Sequence, residues 1–440
     1  MGKVLCIWLF VCSALAAQWP PGPIPTQLPG RPFFIKNTWY IGGSGAWDSM
    51  TIDPASGRLY IAHGPVVQVV NVSTGALVGE IRGFGRARAI ALDDSGQFGY
   101  ITDGATGQVI VFNRNTLDKV AGIPTRPGPR ALVYEPRTRM LFAVEAVSGA
   151  EGPSPPQGRR TQQRNAPSVP YQASYITVID TQTNTVLGEL LVAGVLGHAQ
   201  ADGAGQVYIG YTDRDAILRF SAAAVETQLR QMRREQEEQE AAVRPENHAP
   251  LPSRDPSHPQ SARPAPPKPV ETLPPTLDWT MPPTSSAAAE AGLRYLSLGR
   301  SCGVPHGFAL DGPNARLFAA CEDKTLRVLN TDNGQQVATV PIDWGVEQIG
   351  YDPVRGLIYA ATGAGDGDLT IIRRNITDTY AVIQNVPTRQ RAYVMAVNPD
   401  TGNVYLVTDL MGVDLKEPGG IGTLRMTPIS GSFAVLEIGH

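Results

Sequence analysis

One hairpin pattern recurs seven times along this chain, and it restricts the fold more than any other feature. An alternating apolar run leads into an acidic turn, and a second alternating run leads out. It reads MTIDPASGRLYIAH at 50–63, IALDDSGQFGYITD at 90–103 and LVYEPRTRMLFAVE at 132–145. It returns as AQADGAGQVYIGY at 199–211, FALDGPNARLFAAC at 308–321, IGYDPVRGLIYAAT at 349–362 and MAVNPDTGNVYLVT at 395–408. The turn residues are Asp53, Asp93, Glu135, Asp202, Asp311, Asp352 and Asn398, with gaps of 40, 42, 67, 109, 41 and 46 residues. Alternation of this kind marks half-buried strands, and a fixed period marks a repeat architecture.

Third and fourth strands follow each hairpin, as in VVQVVNV then ALVGEIRG, with turn residues such as Ser73-Thr74-Gly75 between them. Four short antiparallel strands in about 40 residues make a propeller blade. A lone blade leaves both sheet faces wet, so the units must stack around an axis. The expected fold is all-β: a seven-bladed β-propeller of four-stranded antiparallel blades over residues 33–440. The final hairpin is followed by only one clear strand, Ser432 to Ile438. The strand at Phe33 to Ile41 is expected to supply the missing outer strand of the last blade and so close the ring.

The two long gaps match low-complexity insertions. Residues 146–173 interrupt blade three between strands b and c, and residues 222–292 interrupt blade four between strands c and d. In the second insertion, Ala223 to Val243 has helix-forming composition with a solvated charge pattern. Pro245 to Pro283 is Pro-rich and is expected to lack order.

The turns also carry a family resemblance. Gly-Gly-x-Gly-x-Trp-Asp at 42–48, the Asp-Pro-x-x-Gly-x-x-Tyr turns at 53–60 and 352–359, Tyr-Ile-x-His-Gly at 60–64 and Gly-Ser-Phe-x-Val-Leu at 431–436 resemble the YVTN family of secreted bacterial β-propeller proteins. The resemblance covers residues 33–440 outside the insertions and implies the propeller fold. It implies little about activity, because one fold hosts many functions.

Residues 1–17 read as a secretory signal. Lys3 precedes the apolar run Val4 to Val11, and Ala14-Leu15-Ala16 offers a small-residue cleavage site. A Pro-rich coil follows at 18–32. The expected location is periplasmic or secreted, with no transmembrane span. Cys6 and Cys12 leave with the signal. Cys302 and Cys321 remain at the two ends of one hairpin, where a disulfide is the preferred reading and free buried thiols or a redox pair are the alternatives. Charged residues are 18 % of the chain and the net charge is −3, which gives no basic surface for nucleic acid. A monomer is expected.

In a propeller the d–a and b–c loops share one face, and strand a is innermost. The residue five positions before each turn acid therefore points at the channel mouth. Those residues are Asp48, Arg88, Arg130, His306, Glu347 and Tyr393, with blade four offset to His198. The b–c residues His63, Asp103, Asp213 and Glu322 lie beside them. Convergent ionisable groups at a concave mouth make a candidate ligand site, although channel mouths also carry plain inter-blade salt bridges such as Asp48 with Arg88. Asp366 and Asp368, in a Gly-rich b–c loop, could ligate Ca²⁺ or form a simple turn. No other cofactor is expected. The first functional reading is a binding or interaction module acting through this face. The alternative is a propeller enzyme of the lactonase, lyase or quinoprotein-dehydrogenase kind. It would use His306, His63 or His198 with Glu347 as acid–base groups or metal ligands, and Arg88 with Arg130 to hold a carboxylate.

Overall fold

Most of the acidic turns close their hairpins through side chains that accept hydrogen bonds from the turn's own backbone, while Asp311 accepts from the Asn314 side chain. Glu135 accepts from the Thr138 N–H at 2.9 Å, Asp202 from Ala204 at 2.8 Å and Asp352 from Val354 at 2.9 Å. Such turns fix the register of the strands they join. The computed structural model describes residues 32–43, 45–146, 173–243, 273–280, 286–375, 378–413 and 426–440. The expected signal at 1–17, most of the coil at 18–32 and nearly all of the 146–173 insertion fall outside them.

Seven blade sheets result, each antiparallel over its four blade strands. Blade one is Trp47–Asp53, Arg58–His63, Val66–Asn71 and Leu77–Arg82. Blade six, as a second example, is Val346–Asp352, Leu357–Thr362, Asp368–Arg374 and Tyr380–Pro387. Alternate residues of each strand serve different neighbours. Leu59 and Ile61 pack toward blade seven, whereas Tyr60 and Ala62 pack toward blade two. Seven apolar clusters form in this way, one at each seam, so the core is a ring of seams.

Closure follows the expected route. Blade seven is ordered Val394–Val397, Val404–Thr408, Ala434–Gly439 and then Phe34–Tyr40. The first strand pairs antiparallel with the last, Tyr40 opposite Ala434, and the Trp39 ring stacks on Tyr405 at 5.9 Å.

The second insertion behaves differently from its composition. The helix Ala222–Val243 buries one side near its start and is solvated throughout only toward its far end. Its first two turns bury Ala222, Val225 and Leu229 in the seam of blades three and four. Arg230 bonds Asp180 at 2.8 Å, and Arg233 reaches the Leu187 carbonyl at 2.9 Å. Within the stretch expected to lack order, Thr276–Trp279 forms a strand that lies parallel to Thr185–Ala193. Blade three thus gains a fifth strand from blade four's insertion, and Trp279 is buried against Phe220. Among the described residues no helix is long and apolar enough to cross a membrane. The sulfurs of Cys302 and Cys321 lie at disulfide distance, 2.06 Å.

Candidate functional site

The ring positions coincide with a backbone irregularity. In blades one, two, three, four and six the pairing of strands a and b slips at the residue five before the turn or at its neighbour. The skipped residues are Asp48, Arg88 with Ala89, Arg130, Gly197 with His198, and Glu347. A bulge removes its residue from the ladder and re-aims the side chain. His306 and Tyr393 occupy the same place just ahead of their shorter inner strands, Phe308–Asp311 and Val394–Val397.

The structure draws three of these residues together, His306, Glu347 and Tyr393. Gly307 is the reason for the first contact. A Cβ at Gly307 would meet the Glu347 carbonyl at 2.7 Å and the Gln348 Cα at 2.9 Å, so only glycine lets the entry to blade five lie against the bulge of blade six. His306 is left between two carboxylates. Its Nε2 is 3.5 Å from Glu322 Oε1, and its Nδ1 is 3.5 Å from Glu347 Oε2. The Glu347 contact raises the imidazole pKa; burial opposes it, and the charges of Glu347 and Glu322 reinforce it. Glu347 and Tyr393 then share a cleft of about 590 Å³ between blades six and seven, with Trp344, Arg391, Met411 and Met426 on its walls. Burial raises the Tyr393 phenol pKa.

Arg391 was not singled out by the spacing. Its guanidinium is 3.1 Å from Asp409 and 4.7 Å from the Trp47 ring centre, and it donates to Met411 Sδ at 2.6 Å. It ties the long blade-seven loop, with its small hairpin Met411–Val413 and Met426–Pro428, to the cleft. A charged residue two positions before the ring residue is the only signal that could have found it.

Other expected site residues are elsewhere. His63 is 1 % exposed, with Nδ1 2.9 Å from Gln68 and Nε2 3.2 Å from the Gly45 carbonyl. Its ring lies on Phe433 at 3.9 Å, which places it in the seam of blades seven and one. His198 sits beside Gln200, 3.1 Å away, and edge-on to Phe308; burial pushes its pKa down to about 4. Asp48 pairs with Arg86 at 3.3 Å. The Arg88 chain lies along Gly104. Arg130 is exposed.

Asp103 is buried, and its carboxylate accepts from the backbone of Gly85, Arg86 and Ala105. Burial pushes this carboxyl up, but those donors and the Thr106 hydroxyl together hold it below its ordinary value. Asp213 accepts from Val195 in the same manner at 3.0 Å. Both acids brace the d–a loops. Asp366 is exposed, and the Asp368 carboxyl instead contacts Asp343.

No protein-family model matches the chain, and no curated protein matches it. Solved structures do. A chain of a mitotic checkpoint complex aligns with TM-score 0.55 at 12 % identity, over 92 % of this chain and 95 % of that one. U3-55K aligns with TM-score 0.56 at 8 % identity, over 92 % and 98 %. The WD40 repeats of RRP9 align with TM-score 0.57 at 8 % identity, over 92 % and 97 %. At these identities the likeness establishes the propeller fold alone.

Proposed function

We propose that this chain is a protein-interaction module whose d–a and b–c face binds a partner segment in the cleft between blades six and seven. One observation carries the reading. Trp344, Leu410, Met426 and Ile429 are each between 43 % and 51 % exposed, and all belong to the two loops that rim this cleft. Apolar side chains gathered at a concave site are unusual on a surface with no partner, and aromatic residues dominate binding energy where partners meet. The charge beside them is acidic. Arg391 is neutralised by Asp409, while Glu322 and Glu347 share one imidazole. The complementary partner is a polypeptide segment with an aliphatic or aromatic side chain next to a lysine or arginine. The similar propeller in the mitotic checkpoint complex also belongs to a protein assembly, which agrees with this class of role.

The chain is further read as an exported protein of YVTN type. The pattern of residues 1–17, the Asp-Pro turns and the Cys302–Cys321 pair support this reading. Mass spectrometry of protein secreted from an expressing cell should find a mature N-terminus just after Ala16 or Ala17; an intact Met1 would oppose export.

Binding is tested by selecting displayed random peptides on the folded protein, with subtraction on Trp344→Ala and Glu347→Lys variants. Enriched peptides should pair a basic residue with an apolar one and should lose affinity for both variants. Peptides that bind all three proteins equally would place recognition elsewhere.

The Glu322–His306–Glu347 arrangement supports a second reading as an acid–base group. Arg130, one of the two arginines that would hold a substrate carboxylate in that case, is exposed.

A further inference from the structure

Glu347 serves two arrangements at once. It lines the cleft between blades six and seven, and its carboxylate holds one side of the His306 imidazole, 3.5 Å away. Glu322 stands 3.5 Å from the other ring nitrogen. None of the three is sealed from water: the His306 side chain is 28 % exposed, Glu347 44 % and Glu322 45 %. Ion pairs this long and this open are weak, so a second cation can draw the Glu347 carboxylate away at small cost. The partner segment read above carries such a cation, a lysine or arginine beside an apolar side chain.

The protonated imidazole and the partner's cation therefore compete for one carboxylate. A charge on His306 also cancels half of the negative charge that Glu322 and Glu347 present together. We propose that His306 is a proton switch for this cleft, giving up its proton to solvent as the basic residue of a partner takes over Glu347. The switch presupposes that the cleft binds such a segment, and it adds what regulates that binding.

The neighbouring elements bring other ionisable groups, and these behave differently. From blade four come His198, edge-on to Phe308 and kept neutral down to about pH 4 by burial, and Asp215, whose carboxyl is raised by burial and by the charge of Glu322. Blade seven brings Tyr393, whose phenol burial raises above its ordinary 10, and Arg391, which Asp409 holds at 3.1 Å. Gln348, beside Glu347, is uncharged and accepts the Met395 N–H at 2.6 Å. Among these groups His306 alone has an ordinary value near neutrality that its surroundings raise.

The direction of the effect follows from the contact. The free protein holds the His306 proton more tightly than the complex does, because the complex takes Glu347 away. Affinity therefore rises as pH rises through the His306 pKa of the free protein, and it levels off at its low value where both states are protonated. Glu322 stays beside the ring, so the proton is released in part. A fall of about one unit in the His306 pKa on binding corresponds to about a tenfold gain in affinity.

The test is calorimetric titration of the full chain with an enriched peptide that is sensitive to Trp344→Ala and Glu347→Lys, from about pH 6 to about pH 8.5 at fixed ionic strength. Kd should fall about three- to tenfold toward the alkaline end, and the heat should depend on the ionisation enthalpy of the buffer, as proton release requires. His306→Gln should flatten the profile and remove the buffer dependence. The same peptide with norleucine in place of its basic residue should bind more weakly and without pH dependence. In the wild-type protein, NMR of the ring protons should find a lower His306 pKa in the complex than in the free state. A flat wild-type profile, a slope that survives His306→Gln, or proton uptake on binding would overturn the switch and leave the cleft's assignment standing. A selection that yields no peptide sensitive to the two cleft variants would sink that assignment, and the switch with it.

Discussion

Glu347 Oε2 lies 3.5 Å from His306 Nδ1, across the seam between blades five and six. The contact raises the imidazole pKa above its ordinary 6.5. A histidine shifted this way stabilises the fold fully below pH 6.5, and its contribution fades as pH rises through the folded pKa. NMR titration of the ring protons should place His306 above 6.5. Glu347→Gln should return it toward that value, and Glu322→Gln should move it less.

His198 should do the reverse. Its pKa of about 4 means that the folded protein keeps the ring neutral while the unfolded chain takes up a proton near pH 6.5. Stability therefore falls as pH drops from 6.5 toward 4. His198→Gln should remove that part of the acid slope in denaturant unfolding measured over this range.

Gly307 makes the His306 contact possible. In Gly307→Ala the new methyl must displace the Glu347 carbonyl or move its own strand. Such overpacking costs about 1–3 kcal/mol. Chemical denaturation should show that loss, and the His306 pKa should fall in the same variant as the imidazole leaves Glu347.

The far face holds the blades by buried charge. Arg114 of blade two pairs with Asp53 of blade one, both side chains under one-tenth exposed, and its Nη1 bonds the Asp93 carbonyl at 3.1 Å. Arg114→Ala strands Asp53 without its cation and should cost about 3–5 kcal/mol. Arg114→Met with Asp53→Asn should recover part of this, since no charge is then left uncompensated. Paired unfolding curves check the difference.

Much of this was readable in residue order. Six turn acids and Asn398 marked seven hairpins, because a side-chain oxygen bonded within its own turn works locally and needs no distant partner. The closing strand was readable because a blade with three strands leaves an edge open. Position five before the turn found the bulges, although nothing in the spacing told which residues would meet. His63 shows why. Its ring is claimed by Gln68, Gly45 and Phe433, from three separate segments, and no local pattern encodes that. Asp48 pairs with Arg86, a residue two positions before the one the spacing marks. The strand Thr276–Trp279 escaped notice for a different reason. Four residues in a Pro-rich stretch carry too little alternation, and their pairing partner belongs to another blade.

Hydrogen exchange on a complex with a selected peptide tests the interaction account most directly. The account predicts slowed exchange in residues 343–347, 363–365 and 390–393, with the a–b turns on the opposite face unchanged. Protection centred on Asp53, Glu135 or Asp352 and their turns, with the cleft segments exchanging as in the free protein, would contradict it.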